Sequence, residues 1–181
     1  SAGIGFGGSC FPKDLDAFIS ISGNLGCEFG ILKEVKKVNE QQKALFIEKI
    51  RNALSTLRGK TVGVLGLSFK PDTDDMRCAP SVDIINTLKS EGAKIKAFDP
   101  KAMDNAGKII KDITFCKDAY SAAKDSDCLA ILTDWNEFKE MDLKKVKSLM
   151  KRHIIIDGRN IYEPDMVRRL GFKYIGTGCS Q

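Results

Sequence analysis

The sequence predicts an α/β protein in which a long helix precedes a parallel sheet flanked by helices. From residue 60 onward, short apolar runs alternate with helical segments of about ten residues, an order typical of parallel sheets. Before that point, apolar residues recur at helical spacing over about eight turns. We therefore expect a helical region over residues 1–59 and a sheet domain over residues 60–181.

The helical region contains two predicted helices. The first covers residues 13–22, has one apolar side and stops at Gly23. The second covers residues 29–57, and Gly59 follows in the position that commonly ends a helix. A helix of this length has more apolar surface than one neighbour covers. We expect it to connect the sheet domain to an all-α central region and to form a dimer surface.

The sheet domain is predicted from six apolar runs and five amphipathic segments. The strands are expected at residues 61–65, 95–98, 113–115, 128–132, 153–156 and 172–175. The helices are expected at residues 81–90, 103–111, 119–124, 143–151 and 164–170. Right-handed crossovers between parallel strands place helices on both faces, which gives a Rossmann-like, doubly wound sheet.

Composition limits the classes of partner. The chain has 181 residues, of which 43% are hydrophobic and 29% charged, as in soluble globular proteins. It has no apolar run long enough to span a membrane and no signal-like start. The net charge of +5 comes from scattered lysines, which favours solvated helix faces over nucleic-acid binding and suits an anionic substrate. We expect no membrane or nucleic-acid partner.

The cysteines predict neither a metal site nor disulfides. No Cys-x-x-Cys pair occurs, and the single histidine, His153, has no metal-ligand spacing to any cysteine. Wide spacing without a signal indicates a reducing cytoplasm. The six are Cys10, Cys27, Cys78, Cys116, Cys128 and Cys179.

The first residues look like a loop that carries a nucleophile. Four of residues 3–8 are glycine, which lets backbone approach a ligand closely. Cys10 follows, with Pro12 in a position that suits a first helical turn and Lys13 nearby. A cysteine at a helix start beside a cation favours the thiolate, the form that attacks a carbonyl. The alternative is an ordinary turn followed by a small buried cysteine.

A second loop follows the first predicted strand. Residues 66–81 lack the three-glycine fingerprint of a dinucleotide site. They carry Lys70, Arg77 and three aspartates at the carboxyl end of a strand, where open α/β sheets bind ligands. The loop either binds an anion through Lys70 and Arg77 or is a solvated surface loop whose charges pair with one another.

Four motifs resemble the nucleotide-sugar 6-dehydrogenases of the UDP-glucose/GDP-mannose dehydrogenase family, in the family's order. Residues 5–14 read Gly-Phe-Gly-Gly-Ser-Cys-x-x-Lys-Asp, like its catalytic-cysteine motif. Residues 66–81 resemble the start of its UDP-binding domain. Residues 97–100, Ala-Phe-Asp-Pro, and residues 157–160, Asp-Gly-Arg-Asn, resemble its strand-two turn and late-strand motif.

The resemblance implies an NAD-dependent enzyme that oxidises the primary alcohol of a nucleotide sugar twice. Cys10 matches the nucleophile that captures the aldehyde as a thiohemiacetal and later carries the thioester, and Asp14 matches the residue that helps water to hydrolyse it. Lys13 and Arg77 match cofactor contacts. The residues matched to substrate binding are Gly3, Ile4, Gly5, Phe6, Gly7, Phe69, Lys70 and Arg159.

The resemblance favours UDP-glucose as the substrate. Ser9 is typical of the UDP-glucose and GDP-mannose branches, and the surroundings of Trp135 look closer to UDP-glucose enzymes. The product would be UDP-glucuronate, a precursor for polysaccharide biosynthesis. GDP-mannose and other UDP-sugars stay open as alternatives.

The family's N-terminal NAD-binding domain has no match in this sequence. We therefore expect a C-terminal fragment that is inactive alone, lacks the main NAD site and forms a homodimer through the long helix. Two other classes stay open: a nucleotide-sugar-binding module without chemistry, and a structural dimerisation unit.

Overall fold

The computed structural model describes residues 3–178, so Cys179 lies outside the described residues. Its centre is a sheet of six parallel strands in the order β3-β2-β1-β4-β5-β6. The strands are β1 Thr61–Leu65, β2 Lys94–Phe98, β3 Thr114–Phe115, β4 Cys128–Ile131, β5 Ile154–Asp157 and β6 Lys173–Ile175. The prediction of a Rossmann-like parallel sheet is confirmed.

The described residues form eight helices. They are α1 Cys10–Asn24, α2 Gly30–Leu54, α3 Pro80–Ser90, α4 Met103–Ile109, α5 Ala119–Ala123, α6 Asn136–Lys139, α7 Leu143–Leu149 and α8 Pro164–Arg169. The sequence did not predict α6, a single turn that buries Phe138 completely. One turn is too short for a helical repeat of apolar residues to be visible.

The sheet separates two apolar cores, because successive side chains of a strand point to opposite faces. On β4, Cys128 and Ala130 face the first core, which the sheet shares with α2, α3 and α4. Leu129 and Ile131 face the second core, which the sheet shares with α5 to α8. This alternation within a continuous apolar run confirms helices on both faces.

The two halves of α2 have different surroundings. Its C-terminal half buries five side chains in the first core, namely Phe46, Ile47, Ile50, Ala53 and Leu54. None of residues 30–45 is buried. The C-terminal half of α2 is thus part of the first core. Its N-terminal half lies against α1 and against the glycine-rich loop that precedes α1. The division into regions 1–59 and 60–181 stays a prediction.

The predicted ends of the first two helices need correction. α1 begins at Cys10 rather than Lys13, since a proline within the first turn needs no intrahelical hydrogen bond. α2 ends at Leu54 rather than Leu57, because Ser55 turns into the left-handed region at φ 64°. Leu57 is still buried, but it reaches the core from outside the helix.

The strand order places a reversal between β1 and β4, whose carboxyl ends lie side by side. This is the point where open α/β sheets bind ligands. The loops after β1, β4 and β5 therefore frame the candidate site. Within residues 3–178, no helix combines the length and apolar character needed to cross a bilayer.

Candidate functional site

The glycine-rich loop, residues 3–8, lies on the carboxyl edge of the sheet. The Gly8 N–H donates to the Arg77 carbonyl at 2.9 Å. A Cβ on Gly7 would lie 2.2 Å from the Cys78 carbonyl oxygen, and a Cβ on Gly3 would lie 3.0 Å from Arg159 Nη1. The fold thus brings the loop before Cys10 into contact with two of the segments that the sequence marked as functional.

Cys10 is the first residue of α1, and its side chain is exposed. Its Sγ lies 3.8 Å from Ser9 Oγ. Lys13 Nζ and Asp14 Oδ1 are 3.6 Å apart, and both side chains are exposed. The alternative of a small buried cysteine does not apply to Cys10. It does apply to Cys128 in β4, where burial raises the pKa of the thiol to about 12.

The chain leaves β1 through a glycine that no other residue could replace without strain. Gly66 has φ +89°, and a Cβ there would lie 2.4 Å from Thr133 Cβ. The Thr133 hydroxyl donates to the Ser68 carbonyl at 2.6 Å, so the loops after β1 and β4 are joined directly. Phe69 follows, half-buried, and Lys70 is exposed with its Nζ 5.5 Å from the Phe69 ring centre.

Arg77 is engaged by an acid of its own loop. Its Nε lies 3.0 and 3.1 Å from the two carboxylate oxygens of Asp75, and its Nη2 lies 2.7 Å from Oδ2. This pairing lowers the pKa of Asp75 and raises the pKa of Arg77, with a smaller contribution from nearby Cys10. For Arg77 the structure has the self-paired arrangement, so an anion at this point must compete with Asp75.

The turn after β5 holds Arg159 in place. Its Nε donates to the Leu132 carbonyl at 2.9 Å, and its Nη2 reaches the Phe69 carbonyl at 3.5 Å. Burial lowers the pKa of Arg159, and Asp134 opposes that shift; an arginine nevertheless stays charged at neutral pH. The result is a fixed positive charge between three loops.

Two buried aspartates organise the same edge. Asp157 accepts hydrogen bonds from three main-chain N–H groups of its own turn and from the Tyr174 hydroxyl, and burial raises its pKa. Asp99, at the end of β2, accepts from the main-chain N–H groups of Leu67 and Ser68 and from Trp135 Nε1. Trp135 is therefore a buried part of the frame.

A pocket of about 930 Å³ opens between the glycine-rich loop and the N-terminal half of α2. Side chains of α2 form one wall, which is mostly apolar but includes Glu34, and the loop, Phe69 and Arg159 form the other. An anionic group would therefore lie on the Arg159 side, away from Glu34. The lining residues are Gly3, Gly5, Phe6, Gly7, Gly30, Ile31, Glu34, Val35, Val38, Asn39, Gln42, Phe69 and Arg159. A pocket with an aromatic face, an apolar wall and one fixed cation suits a planar base attached to an anionic group.

Six of the predicted substrate residues line this pocket, and two do not. Ile4 is 1% exposed, because its side chain fills the space over Gly158 in the first core. Only its main chain can face a ligand. Lys70 is not among the lining residues, and neither are the predicted catalytic and cofactor residues Cys10, Asp14, Lys13 and Arg77. Their assigned roles stay predictions.

Sequence reasoning missed Asn39. It lies near the middle of α2, lines the pocket, and forms hydrogen bonds with both main-chain groups of Phe6. A short polar residue in a helix interior is disfavoured unless its side chain has a partner elsewhere. That was the one signal in the sequence. Within residues 3–178, no three His, Cys, Asp or Glu side chains are grouped to hold a metal ion.

Comparison with protein families finds two consecutive matches. Residues 63–164 match the UDP-binding domain of the UDP-glucose/GDP-mannose dehydrogenase family, and residues 1–41 match the central domain of the same family. The first match covers the chain from β1 to β5 with the loops between these strands, and the second covers the glycine-rich loop, α1 and the N-terminal half of α2.

Individual relatives agree with this. The UDP-glucose 6-dehydrogenase TuaD of Bacillus subtilis is 44% identical over 98% of this chain, which covers 39% of TuaD. A UDP-glucose 6-dehydrogenase of Rhizobium meliloti is 39% identical over 98% of the chain, which covers 41% of it. The chain therefore spans about two fifths of the length of these relatives.

Solved structures share the fold over nearly the whole chain. A UDP-glucose dehydrogenase from Pyrobaculum islandicum aligns with TM-score 0.83 and 35% identity, covering 97% of this chain and 38% of that one. A UDP-D-ManNAc dehydrogenase from Pyrococcus horikoshii aligns with TM-score 0.79 and 28% identity, covering 97% and 39%.

Proposed function

The chain belongs to the UDP-glucose/GDP-mannose dehydrogenase family, and on that premise we propose that it is the substrate-binding and cysteine-bearing part of an NAD-dependent UDP-glucose 6-dehydrogenase. The observation that carries this proposal is the contact between the glycine-rich loop and the carboxyl edge of the sheet, where Gly8 donates to Arg77. It joins the family's cysteine motif to its UDP-binding loop. UDP-glucose is favoured over GDP-mannose because the relatives 39% to 44% identical are named for UDP-glucose.

In the proposed reaction, the Cys10 thiolate attacks the carbonyl carbon of the sugar's C6 aldehyde, and a proton on the oxygen gives a thiohemiacetal. That adduct would lose a hydride from C6 to NAD and a proton from its hydroxyl group, which would leave a thioester on Cys10. Asp14, one helical turn after Cys10, helps a water molecule to attack the thioester, which releases the carboxylate and returns the thiol. Arg159 and Phe69 would hold the nucleotide in the pocket.

The loop between β1 and α3 does not fit the pyrophosphate of NAD. A dinucleotide's pyrophosphate binds at a short glycine-rich turn that leads directly into a helix. Here the space beside Gly66 is filled by Thr133, and α3 begins only at Pro80. We propose that the main NAD-binding domain lies in another part of the enzyme.

We further propose that a second copy covers the apolar surface of the helical region. This surface consists of exposed side chains of α1 and of the N-terminal half of α2 and its middle, namely Phe18, Ile21, Ile31, Val38 and Leu45. Ile31 and Val38 also line the pocket, so the second copy would border the pocket on this side. Exposed apolar groups in this number mark an interaction site. The same helix that contributes to the sheet's core would thus join two subunits.

A cytoplasmic location and a role in polysaccharide biosynthesis complete the proposal. The cysteines support a reducing compartment. Cys10, Cys27 and Cys78 are exposed thiols in the described part of the chain, which is typical of intracellular proteins.

Arg159→Lys tests the proposed nucleotide site. Lysine keeps the charge but loses the fixed fork that holds two oxygens, so we expect UDP-glucose to bind about tenfold more weakly. Calorimetry with UDP, UDP-glucose and GDP-mannose measures this. Arg169→Lys, the same change on the exposed end of α8, should leave affinity unchanged. Equal affinity of the two variants, or preference for GDP-mannose, would contradict the assignment.

A further inference from the structure

Asn39 lies in the interior of α2, where an asparagine does not stabilise a helix. It lies in the half of α2 that has no buried residue, and it is itself half-buried. Asparagine weakens a helix interior because its amide competes for main-chain hydrogen bonds. A contact outside the helix must therefore account for it, and the only such partner in the described residues is the main chain of Phe6.

The contact uses both ends of the amide. The Phe6 N–H donates to Asn39 Oδ1 at 2.7 Å, and Asn39 Nδ2 donates to the Phe6 carbonyl at 3.2 Å. One side chain thus satisfies the donor and the acceptor of one residue, as a neighbouring strand does in a sheet. Phe6 also packs edge-on against Phe11 in the first turn of α1, with ring centres 4.5 Å apart.

Gly5, which precedes Phe6, leaves room for this contact because it has no side chain. Gly5 has φ +107°, and a Cβ there would lie 2.7 Å from Asn39 Oδ1. On the far side, Gly8 donates to the Arg77 carbonyl at 2.9 Å. The loop is therefore held at two points, by α2 through Asn39 and by the sheet's edge through Arg77, and Cys10 follows two residues after the second point.

We propose that Asn39 is a positioning residue, which fixes the glycine-rich loop and through it the Cys10 thiol and one wall of the pocket. The proposal rests on the proposed function in treating Cys10 as the nucleophile. The anchor itself is a property of the main chain at Phe6. It can be measured without a nucleotide sugar, so failure of the proposed function and failure of this inference are distinguishable.

The first measurement is amide hydrogen exchange at Phe6 in Asn39→Ala, with Gln41→Ala as the matched control on the opposite, exposed side of the same helix. Loss of this hydrogen bond should speed exchange of the Phe6 amide at least about fivefold, the factor expected for about 1 kcal/mol. Gln41→Ala should leave it unchanged. Unprotected exchange at Phe6 in the unaltered chain would overturn the proposal without any variant.

The second measurement is the ratio of alkylation rates of Cys10 and Cys27 with iodoacetamide. Both thiols are exposed, and Cys27 lies in the connection between α1 and α2, so general loosening changes both rates together. In Asn39→Ala we expect the ratio of the Cys10 rate to the Cys27 rate to rise at least about twofold, because the anchor holds the loop that carries Cys10. A ratio equal to that of Gln41→Ala would overturn the proposal. Failure to bind UDP-glucose would count against the proposed function alone.

Discussion

Individual side chains, and glycine positions that have none, decide where the glycine-rich loop can lie. Gly7 has ordinary backbone geometry, yet a Cβ there would collide with the Cys78 carbonyl. Asn39 and Gly5 fit each other on the other side of the loop. Asp99 joins the ends of β1 and β2 to Trp135 through one carboxylate. These contacts are short, and each depends on atoms far apart in the chain.

Gly7→Ala should displace the loop. The added methyl group would lie 2.2 Å from the Cys78 oxygen, and overpacking of this kind costs about 1–3 kcal/mol. We expect faster hydrogen exchange of the Gly8 amide, whose hydrogen bond to Arg77 would be broken, and weaker binding of UDP-glucose.

Gly23→Ala is the matched control for that change. Gly23 lies inside α1, and apart from its chain neighbours and the backbone of α1 itself no atom of the described residues lies within 4 Å of its Cβ position. Alanine should stabilise this helix by about 0.5–1 kcal/mol, with no effect at Gly8. Normal Gly8 exchange in Gly7→Ala would mean that the loop does not rest on Cys78 in solution.

Helices and strands of the sheet domain are fixed by local signals that act together. α5, α7 and α8 each begin after an acidic residue whose side chain accepts a main-chain N–H, namely Asp118, Asp142 and Glu163. Such caps satisfy donors that the first turn leaves free. α5 is only five residues long, and both its cap and the burial of Ala119, Ala122 and Ala123 hold it in place.

Asp118 makes stability depend on pH. The hydrogen bonds from Ser121 hold the pKa of Asp118 below its ordinary value. A carboxylate with a lowered folded-state pKa stabilises the fold above its ordinary pKa, and that contribution is lost as the pH falls below about 4. We expect Asp118→Ala to lower the free energy of unfolding at pH 7 by about 1 kcal/mol, measured by urea denaturation.

Asp118→Asn separates the cap from its charge. Asparagine caps a helix about as well as aspartate, so most of the stability at pH 7 should remain while part of the loss in acid disappears. If Asp118→Asn loses as much stability at pH 7 as Asp118→Ala, the charge of Asp118 and not the cap accounts for the stabilisation.

At the scale of the whole molecule, α2 is the element that joins the core of the sheet to the exposed helical region. Its C-terminal half buries Ile50 completely in the core of the sheet, whereas Ile31 near its start is 73% exposed. Lys49 links the same half to the end of β6 through the Gly176 carbonyl. The exposed half carries the surface that we propose for a second copy.

Ile31→Glu should keep the fold and break the proposed dimer. A charge in an apolar interface loses its hydration without gaining a partner. We expect the mass measured by light scattering to fall from two chains to one. The midpoint of thermal unfolding should change little, because the Ile31 side chain is exposed.

Ala44→Glu is the control for the dimer prediction. It adds the same charge to the same helix, at an exposed position about a third of a turn away from the apolar surface. Its mass should equal that of the unaltered chain. A single-chain mass for the unaltered protein would contradict the proposed dimer.

The sequence determined the strands, most helices and the cysteine motif, because these depend on neighbours within a few residues. The continuous apolar run of β4 and the caps of α5 and α7 can be read from adjacent positions. The glycines before Cys10 and the long loop after β1 were also visible as candidates. Their resemblance to one family was enough to predict that they belong to one site.

Only the tertiary structure decided how these parts meet, because contacts between distant residues leave no periodic pattern in a single sequence. Ile4 turned out to be buried over Gly158, Arg77 to be paired with Asp75, and Asn39 to hold Phe6. Each depends on a distance or a burial that the fold as a whole creates. The loop's two anchors, on α2 and on the sheet's edge, were therefore invisible until both elements were in place.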